Sequence, residues 1–175
     1  MIRTPRLILH QWREGHRAAF THMHRDPEVM ADLGGPIDRT QCDLKFERYC
    51  AALRDYGVSR WAVENFDGTF LGYAGVMPRM APEHPLGPHF EIGWRFLREA
   101  WGKGYATESA RAALDHATKE LGLQGIIAYT GPDNWRSQAV MARLGLVRDP
   151  SLDFVAPNPH GRPAHGLVFV VAPGR

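Results

Sequence analysis

Glu91-Ile92-Gly93-Trp94-Arg95-Phe96-Leu97 runs without a gap into Arg98-Glu99-Ala100-Trp101-Gly102-Lys103-Gly104-Tyr105-Ala106-Thr107-Glu108. Residues 89–97 read as a strand, Gly102 and Gly104 mark a turn, and a helix follows. A glycine lacks the Cβ that keeps backbone N–H groups away from an anion. A helix start adds unpaired N–H groups and the positive end of its dipole. The stretch therefore reads as a phosphate cradle, with a plain tight turn as the competing explanation of the two glycines.

Two other phosphate motifs do not fit. A dinucleotide fingerprint needs a third glycine where Thr107 stands, and it opens a βαβ unit, whereas here a hairpin comes first. A P-loop needs Gly-Lys-Ser/Thr at its end, which is absent.

Working outward, residues 6–10 alternate as a first strand. Residues 14–23 and 27–33 turn helical, the second with Asp26 as cap and Pro27 in the first turn, stopped by Gly34-Gly35-Pro36. Thr40 is the expected cap of a helix carrying Cys42, Phe46, Tyr49, Cys50, Leu53 and Tyr56 on one face and closed by Gly57. Asn65-Phe66-Asp67-Gly68 between 61–66 and 70–77 predicts an antiparallel hairpin. Four prolines make 78–88 a loop. Ala106, Ala110, Ala113, Leu114, Ala117 and Leu121 form the stripe of a helix ending at Gly122. Residues 124–131 read as a buried strand, 134–144 as a helix ended by Gly145, 150–163 as a loop and 166–171 as a last strand. No repeat or low-complexity linker divides residues 1–175, so a single α/β domain is expected.

A net charge of +2 with both signs mixed throughout argues against an extended nucleic-acid footprint. No apolar run is long enough for a bilayer, and the start lacks a signal-peptide core, so the expected location is cytoplasmic, with no membrane partner. Cys42 and Cys50 lie about 12 Å apart on one helix, too far for a disulfide. Nine histidines suggest no metal: His22 and His24 face apart, and no HExxH or clustered Cys/His spacing occurs.

The glycine turn resembles the cofactor motif of the GNAT superfamily of acyl-CoA N-acyltransferases, Gln/Arg-x-x-Gly-x-Gly/Ala, which Gly104 and Ala106 match. Trp101 at the Gln/Arg position is similar to the RimJ/RimL branch of ribosomal-protein N-terminal acetyltransferases. So are Thr4-Pro5-Arg6-Leu7-Ile8-Leu9, Asp26-Pro27-Glu28-Val29-Met30, Glu91-Ile92-Gly93-Trp94, Asn134-x-x-Ser137 and Arg143-Leu144-Gly145-Leu146, in order over nearly the whole length. The resemblance implies a central mixed, mostly antiparallel sheet of about six to seven strands, splayed between its fourth and fifth, with about four flanking helices. It implies acetyl-CoA as cosubstrate and no metal. The coenzyme A diphosphate would lie on the amides of Gly102, Lys103, Gly104, Tyr105, Ala106 and Thr107, next to Trp101. Phe96 and Leu97 would pair with pantetheine, and Lys103 or Arg98 would meet phosphate charge, unless Lys103 is a solvated turn residue.

Acyl transfer to an amine needs a proton acceptor, a polarised carbonyl and a proton for the thiolate. Glu91 is the candidate base if burial raises its pKa toward neutrality; it is otherwise an outward residue or an arginine partner. By resemblance Asn134 contacts pantetheine and Ser137 donates to the sulfur; the alternative is that the two form a helix cap. Relatives outside the branch place Tyr where Met141 falls, and Met has no proton to give. The acceptor would enter near residues 29–39 and 154–165, where His165 shapes the pocket or supports Glu91, or is merely structural. The expectation is direct transfer to a primary amine, either a protein N-terminus or a small molecule. Neither cysteine is placed for an acyl intermediate. A non-catalytic acyl-CoA sensor is the rival, and an exposed last strand would favour a homodimer.

Overall fold

A computed structural model of the chain describes residues 1–171. Among them, in chain order, are β1 (Ile2–Arg3), β2 (Leu7–His10), α1 (Arg17–Arg25), α2 (Arg39–Tyr56), β3 (Arg60–Asn65), β4 (Phe70–Arg79), β5 (His89–Phe96), α3 (Tyr105–Asp115), β6 (Ile126–Thr130), α4 (Trp135–Leu144), β7 (Leu146–Arg148), β8 (Phe154–Pro157) and β9 (Pro163–Val171). The mixed α/β fold and four helices are as expected. The nine strands exceed six to seven because β1, β7 and β8 are too short to show a period.

Local chemistry sets the element ends. α2 starts two residues earlier than Thr40 implies, because Asp38 makes a reciprocal capping box with Gln41 (2.8 and 3.0 Å); Gly57 closes it at φ 71°. Residues 27–33 do not form the expected helix. Asp26 does accept from the amides of Glu28 and Val29 (2.8 and 3.2 Å), but only turns and a 3₁₀ segment (Ala31–Leu33) follow before Gly34 turns left-handed. The Val29 carbonyl, which an α-helix would give to the Leu33 amide, accepts from Arg95 instead, and the Leu33 amide bonds to Met30 at 3.0 Å. The 65–68 hairpin turn forms with Gly68 at φ 80°.

The sheet order is β1-β2-β3-β4-β5-β6-β9-β7, with β8 paired to β9. Neighbours are antiparallel except β5 and β6, which run parallel and pair only at Phe90–Ile126 and Glu91–Ile127. Beyond that pairing β5 runs on to Phe96 and β6 to Thr130 without further ladder pairing, so a notch opens between them. The last strand is not exposed: β9 lies between β6 and β7, which removes the argument for a dimer along it.

Strand alternation divides the core. Leu7, Leu9, Trp61, Val63, Ala74, Val76, Ile92 and Phe96 pack on one face against Ala110, Ala113 and Leu114 of α3 and Val140, Met141 and Leu144 of α4. Ala62, Tyr73 and Met77 pack on the other against Phe20 and Met23 of α1 and Cys42, Phe46 and Tyr49 of α2. The α3–α4 face is filled, so the notch is approached from the α1–α2 face or from the open end beside α3. No helix among the described residues is long and apolar enough to cross a membrane.

Candidate active site

The turn from β5 to α3 is held open by its two glycines. Gly102 and Gly104 have φ 74° and 78°, the left-handed region that disfavours a side chain, and a Cβ on Gly102 would meet nothing within 4 Å. Gly104 is the N-cap of α3 and no side chain caps the helix, leaving the first-turn amides of Tyr105, Ala106 and Thr107 without intrahelical acceptors. Thr4 and Arg6 brace this helix start. The Thr4 hydroxyl, the Arg6 amide and Arg6 Nε all donate to Glu108 (2.6, 3.0 and 2.7 Å), and Arg6 Nη1 donates to the Lys103 carbonyl at 2.9 Å. Sequence reasoning missed Arg6 as part of the turn, because 97 residues separate it from Lys103. Lys103 is exposed with no side-chain partner among the described residues. Arg98 is engaged by Glu28 at 2.5 Å.

Trp101 does more than occupy the Gln/Arg position. Its indole N–H donates to the Phe96 carbonyl at 2.9 Å, and the guanidinium groups of Arg98 and Arg136 lie 4.8 and 4.2 Å from its ring. This shifts the free sheet edge. The Phe96 carbonyl is taken by Trp101, the Leu97 N–H donates to Leu71 at 2.9 Å, and the Leu97 carbonyl accepts from Ala100 at 3.0 Å. The edge that faces the notch without a strand partner is therefore residues 92–95, upstream of the expected Phe96 and Leu97.

Asn134 and Ser137 sit across the notch. Asn134 Oδ1 accepts from the Ser137 amide at 3.2 Å, so the capping explanation holds, while its Nδ2 donates to Asp32 at 3.2 Å. Asp32 is in turn paired to Arg95 of β5 at 2.8 and 3.0 Å. An Arg95–Asp32–Asn134 bridge thus spans the notch. The Ser137 hydroxyl has no partner among the described residues.

Glu91 differs most from expectation. It is 7% exposed, on the α1–α2 face, with Oε1 2.9 Å from Arg60 and Oε2 2.6 Å from Arg79 and 3.3 Å from the Tyr129 hydroxyl. Burial alone would raise its pKa, but Arg79 and Arg60 outweigh burial and pull it down to about 2. The expected rise toward neutrality is reversed, and the arginine-partner explanation describes the residue. Gly93 makes this possible: a Cβ there would stand 2.6 Å from Arg60 Nη2, so only glycine lets the guanidinium cross β5 to reach Glu91. Arg60 also donates to the carbonyls of Gly75 and Glu91.

At the start of β5, His89 faces the same side as Glu91. Its Nδ1 lies 2.7 Å from the Gly87 carbonyl, which only accepts, so the neutral ring carries its proton there and presents a lone pair at Nε2. That Nε2 is buried and has no partner among the described residues. His84, Tyr129 and Phe154 surround it, with ring centroids 4.8 to 5.9 Å apart. His165 is elsewhere. It pairs with Val155 on the side of the β8–β9 hairpin opposite Phe154 and Gly166, is exposed, and does not touch Glu91. One step of strand alternation separates it from the cluster.

Residues 6–147 match the family model described as the acetyltransferase (GNAT) domain. The chain belongs to the GNAT family of acetyltransferases. It is 34% identical over 128 residues to the uncharacterized protein YkkB of Bacillus subtilis, a match spanning 73% of each chain. It is 32% identical over 152 residues to the FsC-acetyl coenzyme A-N(2)-transacetylase of Aspergillus fumigatus, spanning 83% of this chain and 64% of that one. Its fold superposes on an acetyltransferase from Agrobacterium tumefaciens with a TM-score of 0.81 at 27% identity, covering 98% of this chain and 93% of the other. The family's acetyl donor is acetyl-CoA, and the residues of this GNAT chain fit it: an uncapped helix start for phosphate and an unpaired strand edge for an amide-bearing arm.

Proposed function

We propose that the chain transfers an acetyl group directly from acetyl-CoA to a primary amine. One observation carries the reading: an unpaired edge of β5 at residues 92–95 faces the notch, and the same strand leads through the glycine turn into the uncapped start of α3. Amides of residues 102–107 would hold the diphosphate, with Lys103 adding charge, and the peptide groups of 92–95 would pair with pantetheine as an added strand pairs with an edge. Edge N–H groups would also stabilise the oxyanion.

The Ser137 hydroxyl, free of other partners, donates a proton to the departing thiolate in this reading. Glu91, held near pKa 2 by two guanidiniums, is too weak a base for an ammonium and acts as a positioning residue. His89 Nε2 is the proton acceptor, directly or through one water. A cytoplasmic, single-domain enzyme of the RimJ/RimL type is part of the reading, with the acceptor either a protein N-terminus or a small amine.

Purified chain is incubated with acetyl-CoA and a panel of amines, and free thiol is followed alongside calorimetric titration with CoA. Thiol release that needs an amine, reduced about 100-fold in kcat by His89→Gln and about tenfold by Ser137→Ala, supports the proposal. Absence of CoA affinity overturns it. CoA binding with no thiol release from any amine replaces it with the sensor reading.

A further inference from the structure

The α1–α2 face beside the notch holds more positive charge than it neutralises. Arg60, Arg79 and Arg95 point to this side of the sheet. Arg60 and Arg79 share Glu91, and Arg95 is paired with Asp32. Lys45 adds a fourth basic group, its amine pushed below the ordinary lysine range first by burial and then by the charges of Arg95, Arg48 and Arg79, with Tyr49 opposing. It lies on the inward stripe of α2 between Cys42 and Tyr49, close enough to Arg95 and Arg79 to feel both charges, and has no carboxylate partner among the described residues. These four basic groups share two carboxylates, Glu91 and Asp32, both already engaged by the arginines.

The same corner contains unused hydrogen-bonding capacity. The Arg95 side chain is 10% exposed and its buried Nε–H has no acceptor among the described residues. His24 Nε2, buried and unpartnered, lies beside it: its ring stacks on Tyr73, which pairs across the sheet with Arg95. The other titratable groups near them are Tyr49, Tyr73, Tyr129, His84 and His89, and farther along β3 the Glu64 carboxylate is taken by His10, Arg13 and His16. Burial and then Lys45 hold His24 down to about 3, so it adds no positive charge at neutral pH. Burial raises the Tyr49 phenol, while Lys45, Arg60, Arg79 and the hydrogen bond with Tyr73 pull it below its ordinary value.

A buried lysine amine with no counter-charge and a buried guanidinium N–H with no acceptor are both completed by a bound carboxylate, which would also restore the lysine's charged form. We infer that the acceptor amine carries a carboxylate, as a small amino acid does, and that Lys45 and Arg95 hold this carboxylate while the amine reaches the notch. This rests on the acetyl-transfer reading above. A polyamine would bring further ammonium groups into a corner already in positive excess, and a peptide N-terminus would leave Lys45 and Arg95 Nε unmet.

The test uses the intact chain with acetyl-CoA and matched acceptors: a set of amino acids, their carboxamides, the corresponding decarboxylated amines, and spermidine. The expected result is a kcat/KM at least about tenfold higher for a carboxylate-bearing amine than for its carboxamide, with spermidine poorest. Lys45→Gln should raise KM for that amine about tenfold with CoA affinity intact, and Lys45→Arg should restore most of the loss. Equal or better use of the carboxamide, or preference for spermidine, overturns the inference while leaving acetyl transfer standing. If no amine releases thiol, calorimetry of the same acceptors against the CoA-loaded chain decides. Selective binding of the carboxylate member sustains the assignment, and equal or absent binding overturns it.

Discussion

The two ends of β5 treat polar groups in opposite ways. At its exit, the turn at residues 102–104 and the first turn of α3 leave backbone N–H groups unpaired, with Gly102 and Gly104 holding positive φ and open space beside Gly102. Near its start, Glu91 is buried and saturated: two guanidiniums and a phenol occupy its oxygens. The first region is poised for an incoming anion, whereas the second already contains its own counter-charges. Local backbone geometry suffices for a binding turn, but a buried ion pair needs three strands to deliver its members to one spot.

The strongest way to break this comparison is Glu91→Gln. Removing the carboxylate leaves the buried Arg60 and the half-buried Arg79 without a counter-ion, so a stability loss of about 3–5 kcal/mol is expected in urea unfolding. Loss of turnover with native stability would instead make Glu91 a base and undo the contrast.

The pH dependence tests the same ion pairs without mutation. A carboxyl depressed from the ordinary 4.5 to about 2 contributes stability that is fully present above 4.5 and is lost as pH falls toward 2. The expected loss is about 3 kcal/mol across that window, read from urea midpoints. Glu91→Gln should flatten the profile there.

At the other end of β5, Gly104→Ala places a Cβ on a residue at φ 78°. About 1–2 kcal/mol of stability should be lost, and CoA affinity should weaken about tenfold as the turn shifts. A fully retained affinity would show that the turn geometry is not used for phosphate. The smallest effect concerns the bracket around the turn: a double-mutant cycle of Arg136→Ala with Trp101→Leu should give a coupling of about 0.5–1 kcal/mol, the range for an exposed cation over an indole.

What the amino-acid order determined is what neighbouring residues decide among themselves. The glycine turn before α3, the Asn65–Gly68 hairpin, the stripe of α3 and the Asn134 cap all depend on contacts within a few positions, and each was legible. Thr40 was mistaken for the cap of α2 because two polar residues stood close together and only the capping box distinguishes Asp38. The short strands β1, β7 and β8 escaped notice since two to four residues show no period without a partner. Tertiary structure alone decided the protonation of Glu91, the orphan nitrogen of His89, the indole that occupies the Phe96 carbonyl, and the unpaired Lys45. Each depends on charges and donors brought together from distant segments, and an electrostatic environment has no signature until the chain has folded around it.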